Sequence, residues 1–208
     1  MAREEELIPH YDGARFRAIL IFGPPGAGKG TLGTFLSSAG DRFCHLSTGE
    51  IFRGLSPESP AGRLYHNYAG KGLLLPDEAT IQIWHHFVHG LIATNRYFPL
   101  QQLLLLDGIP RTKRQADLLD KYLQIERIIL LEVKDTEQLV KRIQRRAVIE
   151  KRTDDLDPHI LHTRMEVYQR DTLLLLEHYP KQLMSRFNAE QKPLEVLRDV
   201  LVSLSSLL

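Results

Sequence analysis

The sequence predicts an α/β fold in which a parallel β-sheet is flanked by helices. The first observation is that four short apolar runs alternate along the chain with longer segments of helical spacing. Because strands that are apolar along their whole length are buried on both faces, these runs are typical of a parallel sheet between helices. The second observation is that the first run ends at a glycine-rich loop that opens a helix. Ligands of such sheets bind at the carboxyl ends of the strands, where this loop lies.

Local signals place the individual elements. The predicted strands are 17–22, 43–46, 102–106, 127–133 and a short fifth strand at 186–189. The predicted helices are 29–38, one that begins at 47, one from 76 toward 89, 113–123, 136–146, 157–179 and 194–208, with short helices and turns over 54–76. Gly40 is a stop signal for the first helix. Ser47 and Glu50 have the spacing of a capping box, and Asp157 and Pro158 suit the N-cap and first position of a helix.

The composition bounds the class of protein. With 208 residues, 43% of them apolar and 25% charged, the chain is long enough for one globular domain with its own core. A net charge of +1 gives no overall field that would attract nucleic acid or a membrane surface. The single cysteine, Cys44, excludes a disulfide framework and a cysteine zinc site and suits a reducing compartment. Residues 1–15 lack the apolar core of a signal peptide, so a cytoplasmic protein is expected.

The glycine-rich loop runs from Gly23 to Thr31 with the sequence GPPGAGKGT. Its G-x-x-x-x-G-K spacing lies between a strand and a helix, where backbone N–H groups and the helix N-terminus cradle phosphates. Lys29 adds a full positive charge, so the loop predicts nucleotide binding; a glycine-rich turn without a ligand is the alternative. Gly30 stands where a serine or threonine usually ligates Mg²⁺. The metal is therefore expected to rely on phosphate oxygens, water and nearby carboxylates.

Five motifs, in this order, resemble the adenylate kinase family from about residue 16 to the C-terminus. They are GPPGAGKGT, LSTGEIFR at 46–53, LLLPDE at 73–78, DGIPRTKRQA at 107–116 and TDD…RMEVY at 153–168. The resemblance implies a P-loop NTPase-type parallel sheet that carries an inserted AMP-binding lobe and a short lid. The implied core is 16–46, 77–141 and 154–208, the insertion is 47–76 and the lid is 142–153. The implied reaction is ATP + AMP ⇌ 2 ADP with Mg²⁺, catalysed by a monomer without zinc and with no nucleic acid or membrane as a partner.

The resemblance assigns one set of residues to ATP and its metal ion. The ATP-binding residues are Gly26, Ala27, Gly28, Lys29, Gly30, Thr31, Arg142, Arg146 and Lys192. Arg142 is implied to stack on the donor adenine and Arg146 to contact the phosphates. Asp107, at the end of a leucine-rich strand, is implied to hold Mg²⁺ through water. Glu50 stands where the family has an aspartate, so it either helps to hold the hydrated metal or is the capping-box partner of Ser47.

A second set is implied to bind AMP. It comprises Thr48, Gly49, Arg53, Leu73, Leu74, Leu75, Gly108, Ile109, Pro110, Arg111, Gln115, Arg152 and Arg164. Arg53 and Arg111 are expected to clamp the phosphate with forked hydrogen bonds, and the amide of Gln115 matches the adenine edge. Thr48, Thr112 and Gln115 favour AMP over pyrimidine nucleotides. Read without the motif, Thr48 is part of a helix cap and Gln115 lies on a solvated helix face.

Catalysis is expected to depend on positive charge rather than on a strong base. Two phosphate anions repel each other and the acceptor phosphate is already anionic, so positioning and electrostatics carry the transfer. The residues implied to supply this charge are Lys29, Arg111, Arg146, Arg152 and Arg164. Asp154 and Asp155 are expected to orient the arginines, with surface capping as the alternative.

Several residues depart from the family pattern. Ile109 replaces a phenylalanine, Arg145 replaces a glycine, and the segment from Arg152 to Arg164 is one residue longer, which leaves the lid geometry open. Arg145 taken alone is a solvated helix end. The histidines at 85, 86, 89, 159 and 162 are joined by no carboxylate or cysteine in a convincing ligand set, so they are expected on solvated helix faces. The alternative functions are another nucleoside monophosphate kinase, for UMP, CMP or GMP, and an adenine-nucleotide-binding module without turnover.

Overall fold

The computed structural model describes residues 15–150 and 155–207. Its five-stranded sheet has the order β2-β3-β1-β4-β5, and each neighbouring pair of strands is parallel. The strands are β1 Phe16–Phe22, β2 Phe43–Ser47, β3 Leu103–Asp107, β4 Leu123–Glu132 and β5 Met184–Asn188. The predicted parallel sheet is therefore confirmed, and β1, which leads into the glycine loop, lies at its centre.

Helices connect the strands and cover the sheet. They are α1 Lys29–Ser38, α2 Thr48–Arg53, α3 Pro60–Ala69, α4 Asp77–Ala93, α5 Lys113–Leu119, α6 Thr136–Glu150, α7 Pro158–Val167, α8 Leu173–Leu175 and α9 Pro193–Leu204. The predicted cap of α7 is confirmed, because the Asp157 side chain accepts hydrogen bonds from the backbone N–H groups of His159 and Ile160.

Three predicted helix ends are wrong, and the last of them is the end of α9, which lies at Leu204 rather than at 208. The sequence predicts a helix over 113–123, but α5 ends at Leu119 and β4 begins at Leu123. The first residues of β4 alternate apolar and polar side chains, so they do not form the continuous apolar run expected of a buried strand. Their polar side chains find partners instead, as where Arg17 Nε donates to Glu126 Oε1 at 2.8 Å. The second difference is α6, which continues past 146 to Glu150.

The predicted capping box at Ser47 does not form. Ser47 is the N-cap residue of α2 and has extended backbone angles, but its side chain makes no capping hydrogen bond. Glu50 therefore does not serve as the reciprocal partner of Ser47. One of the two roles considered for Glu50 is thus excluded, and its side chain lies exposed at the carboxyl edge of the sheet.

Successive side chains of each strand point to opposite faces of the sheet, and both faces are buried. Ile19 and Ile21 belong to the core layer under α1 and α9. Leu20 and Phe22 belong to the layer that contains Trp84 of α4, whose side chain is fully buried. The apolar strands that predicted the fold thus supply two cores, one on each side of the sheet.

The long predicted helix over 157–179 is continuous but irregular. The chain passes from α7 into a π-helical turn, Tyr168–Thr172, and then through α8 into a 3-10 turn, Leu176–His178. A π-turn is a local widening of a helix and often occurs beside functional sites. At its end the Thr172 hydroxyl donates to the backbone carbonyl of Arg111 at 3.2 Å, which ties this helix to the loop after β3.

The carboxyl ends of the central strands bring the candidate residues to one edge. Gly23 follows β1, Ser47 ends β2 and Asp107 ends β3, and all three line one cavity. No helix in the described ranges 15–150 and 155–207 has the length and apolar character needed to cross a membrane.

Candidate active site

A cavity of about 730 Å³ opens at the carboxyl edge of the sheet. Its volume suits a small organic ligand. It is lined by most of the residues implied for the two nucleotides and the metal: Gly26, Ala27, Gly28, Lys29, Gly30, Thr31, Gly49, Glu50, Arg53, Leu74, Asp107, Gly108, Pro110, Arg111, Arg142, Arg146 and Arg164. The fold thus gathers side chains from segments more than 130 residues apart into one concavity.

The remaining implied residues do not line this cavity. They are Thr48, Leu73, Leu75, Ile109, Gln115 and Lys192. Thr48, Ile109 and Gln115 are buried behind the wall, with at most 2% of each residue exposed. Lys192 is flanked by Gln191 and Pro193, which do line the cavity. Arg152 and Asp154 lie outside the described residues.

The glycine loop has the backbone geometry that phosphate binding needs. Gly26 and Gly28 have φ angles of +83° and +92°, which favour glycine. A Cβ atom at Gly26 would approach Ile143 Cγ1 to 2.9 Å, whereas one at Gly28 would meet no atom within 4 Å. Gly28 is the N-cap of α1 and supplies no capping side chain. The first N–H groups of α1 are therefore available for an anion at the positive end of the helix dipole.

Lys29 lies within the loop and donates to the backbone carbonyls of Gly23 at 2.8 Å and Pro24 at 3.1 Å. Burial lowers the pKa of Lys29 to about 8, against an opposing effect of the Asp107 carboxylate and with additional lowering by three arginines. Those arginines are Arg111, Arg146 and Arg164. Burial is thus the main cause of the lowered pKa, and the smaller effect of the arginines reflects their position around the same cavity.

Asp155 joins two of these arginines. One of its carboxylate oxygens, Oδ2, accepts from Arg146 Nε at 2.9 Å and Arg146 Nη2 at 2.5 Å, and the other, Oδ1, accepts from Arg164 Nη1. Asp155 is fully buried, while both arginine side chains retain some exposure toward the cavity. The expectation that Asp155 orients the arginines is confirmed by these bonds. Its carboxylate holds two guanidinium groups, one on α6 and one on α7, against their mutual repulsion.

Arg111 lines the cavity from the loop after β3. Its Nε donates to the carbonyl of Gly108 at 2.9 Å, which folds the guanidinium back over the turn after β3. Gly108 has a φ angle of +84°, and a Cβ there would come within 2.7 Å of Thr48 Oγ1 and 3.0 Å of Arg111 Nη2. Burial lowers the pKa of Arg111, and Arg164 lowers it further. This turn therefore needs glycine for Arg111 to reach the cavity.

Thr48 and Gln115 lie behind the wall of the cavity that carries Arg111. The Thr48 hydroxyl donates to the carbonyl of Asp107 at 3.3 Å, which links the start of α2 to the end of β3. Gln115 Oε1 accepts from the backbone N–H of Arg111 at 2.7 Å, and its Nε2 donates to Asp77 Oδ1 at 2.9 Å. Gln115 is thus not on a solvated helix face, and both ends of its amide are engaged within the protein.

Asp77 is a residue of this support that the sequence analysis missed. Its Oδ1 accepts from Thr112 Oγ1 at 2.9 Å as well as from Gln115 Nε2. The Thr112 hydroxyl in turn caps α5 by accepting from Gln115 N at 3.1 Å. Asp77 lies in the LLLPDE motif at the start of α4. From the sequence, Asp77 is explained only as an acidic residue in the first turn of a helix, so this contact was not predicted.

One part of the cavity is formed by α6 and by the loop after β5. Arg142 Nη1 donates to the carbonyl of Ala189 at 2.7 Å, and both residues line the cavity. Lys192, by contrast, is the N-cap residue of α9, and its backbone N–H donates to Glu195 Oε2 at 2.9 Å. Arg145, which the sequence alone placed at a solvated helix end, also lines the cavity, as do Tyr168 and Thr172 of the π-helical turn. Tyr168 is the last residue of the TDD…RMEVY motif but was given no role, and Thr172 carried no signal that the sequence analysis used.

The acidic residues of the cavity are Asp107, Glu50 and Glu150. Asp107 is buried at the end of β3, and a Cβ atom added to Gly30 would lie 3.6 Å from its Oδ2. Within the described ranges, no three His, Cys, Asp or Glu side chains gather closely enough to hold a metal ion by themselves. This donor set suits Mg²⁺, which keeps several water ligands and takes its others from one or two carboxylates and from phosphates.

Comparisons with known proteins agree with this geometry. The family model described as adenylate kinase matches residues 21–184. An adenylate kinase of Cyanothece sp. is 38% identical over 170 residues, which are 79% of this chain and 82% of that protein. An adenylate kinase of Thermobifida fusca is 34% identical over 194 residues, 90% of this chain and 98% of the other. One of Mycoplasma pneumoniae is 32% identical over 204 residues, 85% of this chain and 92% of the other.

Proposed function

The chain belongs to the adenylate kinase family and is an ATP:AMP phosphotransferase, and we propose that its cavity seats the donor and the acceptor nucleotide on opposite sides of one group of cations. The observation that carries this proposal is that Lys29, Arg111, Arg146 and Arg164, from four separate segments of the chain, all line one cavity. Two facing phosphate groups would neutralise the positive charge that these side chains bring together.

The donor ATP binds with its phosphates on the glycine loop. The N–H groups at the start of α1 and the ammonium of Lys29 contact the β- and γ-phosphates, and Lys29 exchanges its bonds to Gly23 and Pro24 for phosphate oxygens. Arg142 covers the adenine between α6 and Ala189. Lys192 supports this base through the backbone, since its neighbours Gln191 and Pro193 line the cavity.

The acceptor AMP binds on the side of α2 and the loop after β3. Arg53 and Arg111 hold its phosphate, because both guanidinium groups border the cavity near Gly49 and Gly108. The base lies toward Leu74 and the wall that Thr48 and Gln115 support from behind. Leu73, Leu75, Ile109 and Pro110 give this wall its shape, with Leu75 and Ile109 buried in the core.

The transfer itself needs alignment and charge neutralisation rather than proton abstraction. An oxygen of the AMP phosphate forms a bond to the γ-phosphorus of ATP while the bond between that phosphorus and the β,γ-bridging oxygen breaks, which leaves two molecules of ADP. Arg146, Arg164 and Arg152 contact the transferring group as the lid, 142–153, closes and excludes water. Asp155 holds Arg146 and Arg164 until phosphate oxygens replace its carboxylate as their partners.

Mg²⁺ accompanies ATP in this proposal. Asp107 would hold it through water, with Glu50 as a second carboxylate, since both line the cavity next to Lys29 and Gly30. When bound, the ion neutralises negative charge on the phosphate oxygens. The remaining parts of the proposal are that the protein is a cytoplasmic monomer and that neither zinc nor nucleic acid takes part in the phosphoryl transfer.

The test is an assay of ADP formation across four acceptors: AMP, UMP, CMP and GMP, each with ATP and Mg²⁺. We expect rapid ADP formation with AMP, little with the other three, and little phosphate release from ATP alone. A preference for UMP or CMP would contradict the acceptor assignment of Thr48 and Gln115. Binding of ATP by calorimetry without turnover of any acceptor would instead identify a nucleotide-binding module that has lost catalysis.

A further inference from the structure

Two histidines of α4 meet on the side of the molecule away from the active site. His85 and His89 are one helical turn apart, and their Nε2 atoms are 3.1 Å from each other. The two ring centroids are 4.3 Å apart with an angle of 50° between the rings. Residues at i and i+4 share a helix face, but most such pairs do not point the same atom of each ring at one another.

Aromatic neighbours hold both rings in this arrangement. The ring of Tyr122 lies 4.7 Å from that of His85, and the ring of Phe16 meets that of His89 edge-on at 6.2 Å. The helix itself is fixed by Trp84, which is fully buried next to His85 in the chain. His85 is half-buried and His89 is exposed. The pair is therefore preorganised and still accessible from solvent.

The distance between the two Nε2 atoms requires a proton or a cation between the rings. Two lone pairs at 3.1 Å repel, so either one proton lies between the rings or a cation replaces it. Two imidazole ligands of one tetrahedral Zn²⁺, each at 2.0–2.1 Å from the ion, are themselves about 3.3 Å apart. Two histidines at i and i+4 on one helix face are also the spacing with which helices present imidazoles to zinc.

We propose that His85 and His89 form a two-imidazole site for a divalent transition-metal ion such as Zn²⁺, Ni²⁺ or Cu²⁺. Imidazole nitrogen suits these ions, whereas Mg²⁺ prefers oxygen ligands. No third His, Cys, Asp or Glu joins the pair in the part of the chain that the structure describes, so water fills the other coordination positions.

This site is separate from the nucleotide cavity. Phe16 begins β1 and Tyr122 immediately precedes β4, so both mark the amino ends of the strands. The nucleotide cavity lies at the carboxyl ends, beside Gly23 and Asp107. Metal binding at α4 is therefore expected to stabilise the fold without occupying the Mg²⁺ position of the active site.

The experiment is titration of the full, untagged chain with Ni²⁺ alone, and separately with Zn²⁺ alone, by isothermal calorimetry, with thermal melting in parallel. We expect a saturable site with one ion per chain and a rise in melting temperature of roughly 5 °C at about 100 times the dissociation constant. His89→Gln should lower the affinity about tenfold or more, because one of two protein ligands is lost. Its ADP-forming activity should equal that of the wild type.

His86→Gln is the matched control, since His86 lies on the same helix and is exposed, but its Nδ1 bonds to the carbonyl of Gln82 at 2.8 Å. We expect this variant to bind Ni²⁺ as the wild type does. His85→Gln should also lose Ni²⁺ affinity, and a thermal melt of this variant in EDTA, without bound metal, shows whether it folds. Three outcomes would each overturn the proposal and leave a pair of histidines that share a proton. They are equal Ni²⁺ affinity in the wild type and His89→Gln, a loss of affinity in His86→Gln as large as that in His89→Gln, and absence of saturable binding in the wild type.

Discussion

Asp77 and Gln115 are joined by a hydrogen bond of 2.9 Å although 38 residues separate them in the chain. The same carboxylate oxygen of Asp77 accepts from Thr112, and the other end of the Gln115 amide accepts from the N–H of Arg111. The start of α4 therefore positions the loop that carries Arg111, the arginine proposed to hold the acceptor phosphate. We infer that Asp77 affects acceptor binding without contact to the acceptor.

Replacement of Asp77 by Leu should weaken AMP binding selectively. The variant keeps a similar volume but leaves the Thr112 hydroxyl and the Gln115 amide without their acceptor, so the loop at Arg111 loses its position. We expect KM for AMP to rise about tenfold, equivalent to about 1.4 kcal/mol, while KM for ATP changes little. Glu78→Gln is the control, because Glu78 pairs with Arg114 on the exposed surface. Equal increases in both KM values would contradict this role.

Replacement of Lys29 by Met should lower turnover without lowering the free energy of unfolding. Loss of the charge that contacts the β- and γ-phosphates is expected to lower turnover by several orders of magnitude. Because the pKa of Lys29 in the folded protein lies near 8, below its ordinary value of 10.5, the buried charge destabilises the ligand-free fold at pH 7. Urea unfolding should therefore show a variant no less stable than the wild type, and more stable by up to roughly 3 kcal/mol. A variant that is inactive because it is unfolded would refute this explanation.

The pH dependence of ATP binding should report the same lysine. Lys29 with a pKa of about 8 is charged below pH 8 and loses its proton above it, whereas binding to phosphate favours the charged form. The dissociation constant of ATP, measured by calorimetry, is expected to change little between pH 7 and 7.5. It should then rise by up to about tenfold per pH unit above 8. Lys29→Arg should flatten this curve, since a guanidinium stays charged. An unchanged curve in that variant would assign the titration to another group.

Replacement of Asp155 by Leu should destabilise the ligand-free protein. The buried carboxylate is held between Arg146 and Arg164, and its removal leaves two like charges facing each other. We expect a loss of about 3 kcal/mol in the free energy of unfolding. Asp171→Asn is the control because its partner Arg170 is largely exposed, and such surface pairs contribute about 0–1 kcal/mol. ATP should raise the melting temperature of the Asp155 variant more than that of the wild type, because phosphate supplies the missing anion.

The sequence by itself determined the elements whose signals are local. Helix α1, the cap of α7 at Asp157 and the central strands follow from apolar period, capping residues and the glycine loop, which act over a few neighbouring residues. The motifs also marked the cation set, and the structure brings Lys29, Arg111, Arg146 and Arg164 to one cavity. A local signal gave a wrong prediction at Ser47, where the capping-box spacing is present in the sequence but the box does not form.

Only the tertiary structure decided which groups meet across distant segments. The hydroxyl of Thr48 bonds to Asp107 across 59 residues, and that of Thr172 bonds to Arg111 across 61. Whether Gln115 is solvated or buried, and whether His85 and His89 point at one another, likewise depends on neighbours such as Asp77 and Tyr122. The physical reason is that burial and side-chain direction are set by packing, which no short stretch of sequence encodes.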